Sequence, residues 1–511
     1  MLKNKLILKR EIKLSHFVLI VSFINLILYH LPFFRFTVNN LNYKSFDGVL
    51  TIFNLIVLSF FLHIFIFYII LFISRFLGKF LLVLFFIINA IAVYFINTYS
   101  VIIDETMIGN ILNTNYEESS SFFSLSLVLY VVILGILPSI YIVKTKIIKV
   151  KFTKFLLHTV LNLVFLVLFI YLNSSRWLWI DKNSKVLGGL SMPWSYVVNT
   201  TGFYVHKSQQ NKEQILLPDA VIKDNKKSIS VLVIGESARS QNFSLYGYEK
   251  NTNPLLSKIN NVNVFKANSC ATYTTAGVKC ILDHKETSDL YEILPNYLFR
   301  NDVEVIWRTT NWGEPPVKIE KYLNKEDLIS LSKGADYDEI LLSGLREQIL
   351  ESKKDKILIV LHTSTSHGPS YNKKYPPQFN RFTPICESVE LAKCTKEELI
   401  NAYDNTIVYT DYLLSTLIGE LKELKDYTSS MFFVSDHGES LGENNLYMHG
   451  IPVSIAPKEQ LEIPFIVWYS DDSKKLKNKK VASQHNVFHS VLDFLAIESP
   501  IYNEDMSIFE K

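Results

Sequence analysis

The chain has 511 residues, is 49% hydrophobic with 35 Phe, and carries 20% charged residues for a net charge of only +3. That length accommodates two domains. So small a net charge, with no zinc-finger or helicase-type pattern, argues against a nucleic-acid partner. The averages hide a split, because nearly all long apolar runs precede residue 175 and the remainder reads as a water-exposed α/β protein.

Five apolar runs, at 15–34, 48–74, 80–99, 121–143 and 155–172, each approach the ~20 residues that a membrane-crossing helix needs. The first is not a cleaved signal peptide: it lacks a small-x-small site and further spans follow it directly. Lys3, Lys5, Lys9, Arg10 and Lys13 precede the first run. Arg75 and Lys79 lie between the second and third, and Lys144, Lys146, Lys149 and Lys151 between the fourth and fifth. The loop between the third and fourth holds Asp104, Glu105, Glu117 and Glu118 and no Lys or Arg. Cationic loops stay on the cytoplasmic side, which predicts a cytoplasmic N-terminus and, after five spans, an extracytoplasmic remainder.

Residues 174–227 read as a connector between a membrane part, 1–173, and a catalytic domain, 228–511. Trp177, Trp179 and Trp194 suit a membrane interface, and a polar stretch from Lys207 to Lys227 follows. Beyond it, short β-rich runs at 231–234, 303–307, 357–361, 431–434 and 464–468 alternate with helical patterns, among them 336–352 and 396–424. That alternation predicts a mostly parallel sheet with helices on both faces. The four cysteines all lie in this part as two close pairs, Cys270 with Cys280 and Cys386 with Cys394, expected as disulfides in an oxidising compartment. The absence of any C-x-x-C spacing argues against a four-cysteine metal site.

Polar clusters follow three of the strand runs: Glu236 after the first, His362 and His367 after the third, Asp436 and His437 after the fourth. Open α/β sheets bind ligands at the carboxyl ends of their strands, so the three clusters are expected to converge. Glu236, Asp436, His437 and the Thr274 hydroxyl make a four-ligand set suited to tetrahedral zinc. The metal would draw electron density from the threonine oxygen and make it a nucleophile. Thr274 is expected to open a helix whose N-terminus suits a phosphate, with a Cys270–Cys280 bridge holding its loop. Thr272, Thr275 and Ser237 are rival nucleophiles that spacing leaves open. His367 and His449 are candidates for a second metal ion or for protonating a leaving group.

The stretch Val233-Ile-Gly-Glu-Ser-Ala-Arg-Ser-Gln-Asn-Phe-Ser-Leu-Tyr-Gly-Tyr248 with Thr252-Asn-Pro resembles the opening motif of the phosphoethanolamine transferases that modify lipid A and related envelope acceptors. The resemblance continues through Cys270-x-x-x-Thr274, the His362–Tyr371 stretch, Tyr403-Asp-Asn-Thr406, Ser435-Asp-His-Gly-Glu-Ser-Leu-Gly-Glu443, His449-Gly-Ile-Pro and Ala456–Gln460, and covers nearly the whole chain. It implies five membrane helices carrying an alkaline-phosphatase-like α/β domain on the periplasmic side of a bacterial inner membrane. It also implies one or two zinc ions and a ping-pong reaction. Thr274 would take phosphoethanolamine from phosphatidylethanolamine, release diacylglycerol, and pass the group to an envelope acceptor, lipid A or lipooligosaccharide first among the candidates.

By position, Glu236, Thr274, Asp436 and His437 match the metal site of the family, and His367 and His449 match residues at a second zinc or the substrate. Asn110, Thr114 and Glu118 resemble residues near the lipid substrate, and their i, i+4, i+8 spacing would place them on one helix face. Two positions depart from the family. Lys279 stands where many relatives have proline, and Thr309–Lys318 lacks the cysteines of some lipid A enzymes, which would loosen that loop. The other readings are a phosphoglycerol transferase or membrane phosphatase of the same superfamily, and a catalytically inert membrane-anchored scaffold.

Overall fold

The computed structural model describes residues 11–510 apart from 42, 115, 174–178, 181–182, 211–213, 333–334 and 472–473, and omits the side chains of 106, 113, 116–118 and 206–210. The chain divides into two compact units, one of Met1–Gly109 with Phe123–Tyr204 and one of Asn110–Phe122 with Val205–Lys511.

In the first unit a helix occupies each predicted apolar run, the fourth starting at Leu125 rather than at 121. Phe46–Ile73, Arg75–Tyr99, Leu125–Lys144 and Phe152–Leu172 are long and apolar enough to cross a bilayer. Leu14–Tyr29 and Leu31–Asn40 make a fifth span if counted as one, bent by 59° at His30. Pro32 in the first turn of the second piece explains the break, since its ring nitrogen has no N–H to donate back and its ring crowds the preceding turn. Inside the bundle, Asn25 donates to the Met192 carbonyl (3.1 Å) and also meets His63 Nε2 (3.0 Å). Asn89 donates to the Asn25 amide oxygen (2.9 Å), and the Tyr196 hydroxyl to that of Asn89 (3.0 Å). A buried amide without such partners would cost several kcal/mol in an apolar medium, so this chain fixes the 192–196 segment to the helices. Trp194 accordingly packs on His63 and Phe67 within the first unit, and Trp179 on Phe36. Trp177 lies outside the described residues.

The second unit is built on an eight-stranded sheet. From one edge the order is Val481–Ser483, Val262–Asn268, Glu462–Tyr469, Thr428–Ser435, Ser228–Gly235, Lys356–His362, Glu304–Thr309 and Lys321–Leu323. The last five run parallel, and Glu462–Tyr469 is antiparallel to both neighbours. Ser228–Gly235 and Lys356–His362 are buried at every position, which is why they read as continuous apolar runs rather than alternating ones. Val262–Asn268 escapes that pattern because it interleaves Asn and Lys with its apolar residues, and the two outermost strands are three residues each. The helix predicted at 336–352 is instead a 3-10 turn, Asp338–Leu342, and a helix, Leu345–Leu350, separated at Ser343 and Gly344. Asp338 turns inward to accept the Ser364 N–H (2.9 Å), which a continuous helix would not permit. Lys396–Glu423 forms as predicted, started by a Thr395–Glu398 capping box.

Register delivers the site. Gly235 pairs with Ser435, and His362 pairs with both Ile234 and Thr309, so the residues that follow these strands emerge side by side. Leu232 lies in the central strand, fully buried in the core. Leu232→Ala should lower unfolding stability by about 2–5 kcal/mol, read as a shift in the denaturation midpoint of the solubilised protein.

Candidate active site

The turn after Ser228–Gly235 places Glu236 inward and Ser237 in the left-handed region at φ +51°. That conformation costs a non-glycine residue energy. It lets the Ser237 N–H donate to Asp436 Oδ1 (3.0 Å) across the neighbouring strand end. The His437 N–H donates to the same oxygen (2.7 Å). Asp436 Oδ1 is therefore satisfied, whereas Oδ2 is buried with no hydrogen-bond partner. His437 Nδ1 lies 2.9 Å from the Gly438 carbonyl, which only accepts, so Nδ1 carries the proton. Its Nε2 lone pair then faces Asp436 Oδ2 at 3.3 Å and Glu236 Oε1 at 3.5 Å, and it too has no hydrogen-bond partner.

Thr274 is the first residue of the helix Thr274–Leu282. Its hydroxyl donates to Glu236 Oε2 (3.3 Å), and Asn311 Nδ2 donates to that same oxygen (2.7 Å). Three constraints bring this helix against the strand ends. At Gly277 a Cβ would stand 2.3 Å from the Asp436 carbonyl oxygen, so only glycine permits the approach. The Cys270–Cys280 disulfide joins the loop to the helix. Gln484 accepts from the Cys270 N–H (2.9 Å) and donates to the Ser435 and Asp436 carbonyls (3.0 and 2.8 Å). The Cys386–Cys394 disulfide also forms. Of the rival hydroxyls, Thr272 donates to the Ile451 carbonyl (2.7 Å) and Ser237 to Glu236 Oε1 (2.7 Å).

Glu236, Ser237, Thr274, Asp436 and His437 are all buried. Burial pushes the Glu236 carboxyl up, whereas positive charge on His437, His367 and His449, when they are protonated, outweighs it and holds the group below the usual carboxylate range. Asp436 moves the other way, raised well above its ordinary value by burial and by the neighbouring Glu236 charge. Two carboxylates and an imidazole lone pair directed at one another repel unless a cation lies between them. The donor atoms of Glu236, Asp436 and His437 lie within 4.8 Å of one another, and nitrogen and oxygen donors at this spacing fit a divalent ion such as zinc. A second set, His437, Glu439 and His449, meets the same distance limit. Glu439 lies 2.8 Å from His449 Nδ1, and the Tyr371 hydroxyl donates to Glu439. The His449 ring centroid is 4.3 Å from that of His437 and 5.3 Å from that of His367, so the three imidazoles gather at one place.

The Thr309–Lys318 loop lies over Thr274, and it is tied rather than loose. Asn311 donates to the Thr363 carbonyl (2.9 Å) as well as to Glu236. The Thr309 hydroxyl accepts the Asn311 N–H (3.0 Å), and Tyr322 donates to Glu314, which lies 3.5 Å from His362 Nδ1. At Gly313, φ +98°, a Cβ would stand 3.3 Å from the Thr274 and Thr275 methyl groups. Polar ties thus take the place of the missing cysteines. Lys279 forms an i, i+4 ion pair with Asp283.

The i, i+4, i+8 face expected for Asn110, Thr114 and Glu118 does not exist as one helix. Glu105–Asn113 ends before Thr114, whose hydroxyl bonds back to the Asn110 carbonyl (2.7 Å), and a separate helix runs Tyr116–Ser121. The Glu118 side chain lies outside the described residues. Asn110 nevertheless reaches the site, its Nδ2 coming 3.6 Å from where a Cβ on Gly450 would stand, next to His449, with its buried Oδ1 unpartnered. Asn311, Glu439 and Gln484 were not anticipated from sequence. Only Glu439 carried a signal, three residues after Asp436 in the quoted motif.

The family model described as phosphoethanolamine transferase EptA/EptB matches residues 59–208, and the sulfatase model matches 228–497. The chain is 40% identical to the phosphoethanolamine transferase EptA of Helicobacter pylori, covering 96% of each chain. It is 33% identical to that of Escherichia coli K12, covering 98% of this chain and 97% of the other. The solved lipooligosaccharide phosphoethanolamine transferase A of Neisseria meningitidis, an integral membrane protein, superposes with a TM-score of 0.88 at 26% identity over 98% of both chains.

Removing the amide of Asn311 leaves Glu236 Oε2 without its closest donor. Asn311→Ala should weaken divalent-metal affinity about 10- to 100-fold while the fold persists, measured by chelator competition alongside circular dichroism. Gly277→Ala should cost about 1–3 kcal/mol of stability, because backbone rather than a movable side chain blocks the new Cβ.

Proposed function

The chain belongs to the phosphoethanolamine transferase family, and on that premise we propose that it moves phosphoethanolamine from phosphatidylethanolamine through Thr274 to lipid A or lipooligosaccharide. One observation carries the reading. The Thr274 hydroxyl opens a helix and touches Glu236, beside two buried ligand atoms, Asp436 Oδ2 and His437 Nε2, that have no hydrogen-bond partner.

Glu236, Asp436, His437 and Thr274 would hold a zinc ion, which would supply Lewis acidity to the threonine hydroxyl and the phosphoryl group. The protein does the rest. In the first half-reaction Thr274 Oγ1 bonds to phosphorus, the bond from phosphorus to the glycerol oxygen breaks, and diacylglycerol leaves with a proton. In the second, an acceptor oxygen attacks the same phosphorus, the Thr274–phosphorus bond breaks, and threonine recovers its proton. His449, held by Glu439, and the neighbouring His367 are the residues assigned to give and take these protons. The N-terminus of Thr274–Leu282 presents free N–H groups to the phosphoryl oxygens. Asn110 beside Gly450 supports a lipid head group entering there. The charge distribution of the apolar part supports a cytoplasmic N-terminus, with the second unit on the periplasmic side.

Thr274→Ala should abolish transfer to acceptor, while at saturating metal Glu236, Asp436 and His437 should still retain zinc and the melting temperature should stay near that of the parent; transfer that survives the change would refute the covalent route. Labelled phosphatidylethanolamine should yield diacylglycerol, and labelled phosphatidylglycerol should not. The reverse preference would favour the phosphoglycerol transferase reading.

A further inference from the structure

The cationic links between the apolar helices meet on one end of the first unit. Glu11–Lys13 pairs in parallel with Lys146–Ile148 there. Beside this pair lies an open cavity of about 740 Å³, within the size range of built ligand sites. Four cations line it, Arg75, Lys79, Lys146 and Lys149, and among the described residues no acidic side chain does. Loop charges obeying the positive-inside rule need not share a cavity, and three of these four are fixed in place. Arg75 donates to the Ile147 carbonyl (3.0 Å), Lys79 to the Val143 carbonyl (3.2 Å) and to that of Thr145, and Lys146 pairs with Glu11. Arg75 keeps spare guanidinium donors, and Lys149 has no hydrogen-bond or ion-pair partner among the described residues. The first turn of the 25-residue helix Arg75–Tyr99 also lines the cavity, adding N–H groups at its positive end.

The remaining walls are apolar, with Phe72 and Phe76 among them. Phe76 is 87% exposed and Ile73 is 74% exposed on helices otherwise built to face lipid. Among the described residues, four cations against the single nearby carboxylate of Glu11, set in an apolar wall at the end of the spans, complement a phosphodiester that carries acyl chains. We propose that this cavity binds the head group of an anionic phospholipid of the surrounding bilayer, of the phosphatidylglycerol or cardiolipin class. A zwitterionic phosphatidylethanolamine would bring its ammonium against the same cations, so the site discriminates against the proposed donor lipid. A free phosphate would leave the apolar wall uncovered.

The test is native mass spectrometry of the full-length protein in mild detergent, titrated separately with phosphatidylglycerol, cardiolipin, phosphatidylethanolamine and inorganic phosphate. The two anionic lipids should be retained at least ~10-fold more tightly than phosphatidylethanolamine. Lys149→Gln, which breaks no described contact, should lower that retention several-fold, and Arg75→Gln/Lys149→Gln should remove the preference. Lys149→Arg should keep it. Equal retention of all three lipids, unchanged retention in Lys149→Gln, or displacement of bound lipid by millimolar inorganic phosphate would each overturn the proposal.

Discussion

The constraint on which the site depends is the mutual repulsion of Glu236, Asp436 and the His437 lone pair. Parallel register puts these groups at adjacent strand ends, and burial removes the water that would screen them. Were both carboxyls ionised, two like charges about 4 Å apart would repel by about 4 kcal/mol at the effective dielectric constant of a protein site. Backbone N–H groups satisfy only one oxygen of Asp436, so the other and the His437 nitrogen are left to a cation. The protein holds them there because they follow Ser228–Gly235 and Thr428–Ser435, neighbouring strands buried along nearly their whole length.

The contacts around Thr274 serve the same geometry. Gly277 admits the helix to the Asp436 backbone, Gln484 links the Cys270 loop to that backbone, and Asn311 bridges Glu236 to the strand end at Thr363. These contacts come from elements far apart in sequence. A hydroxyl on the first turn of a helix clamped in this way moves little, which the proposed in-line attack on phosphorus demands.

Much of this was legible in the sequence, for definite physical reasons. Apolar runs too long for soluble helices announce the spans, and continuous β-branched stretches announce doubly buried parallel strands. Polar residues directly after such stretches announce a site at their carboxyl ends, which is why Glu236, Asp436 and His437 could be grouped unaided. Asn311 and Gln484 could not be found that way, because their role lies in hydrogen bonds that sequence spacing does not encode. The spacing of Asn110, Thr114 and Glu118 misled for a related reason: periodicity assumes that the helix continues, and here it stops at Asn113. The predicted 336–352 helix failed through Asp338, whose inward hydrogen bond outweighs local helical pattern.

The central claim is that Thr274 carries the transferred group. Incubation with phosphatidylethanolamine without acceptor, acid quench and peptide mass spectrometry tests it directly. The account predicts a phosphoethanolamine adduct on Thr274, in amounts matching the diacylglycerol released, that disappears when acceptor is added. An adduct on Thr272, Thr275 or Ser237, or diacylglycerol release with no adduct on the protein, would contradict it.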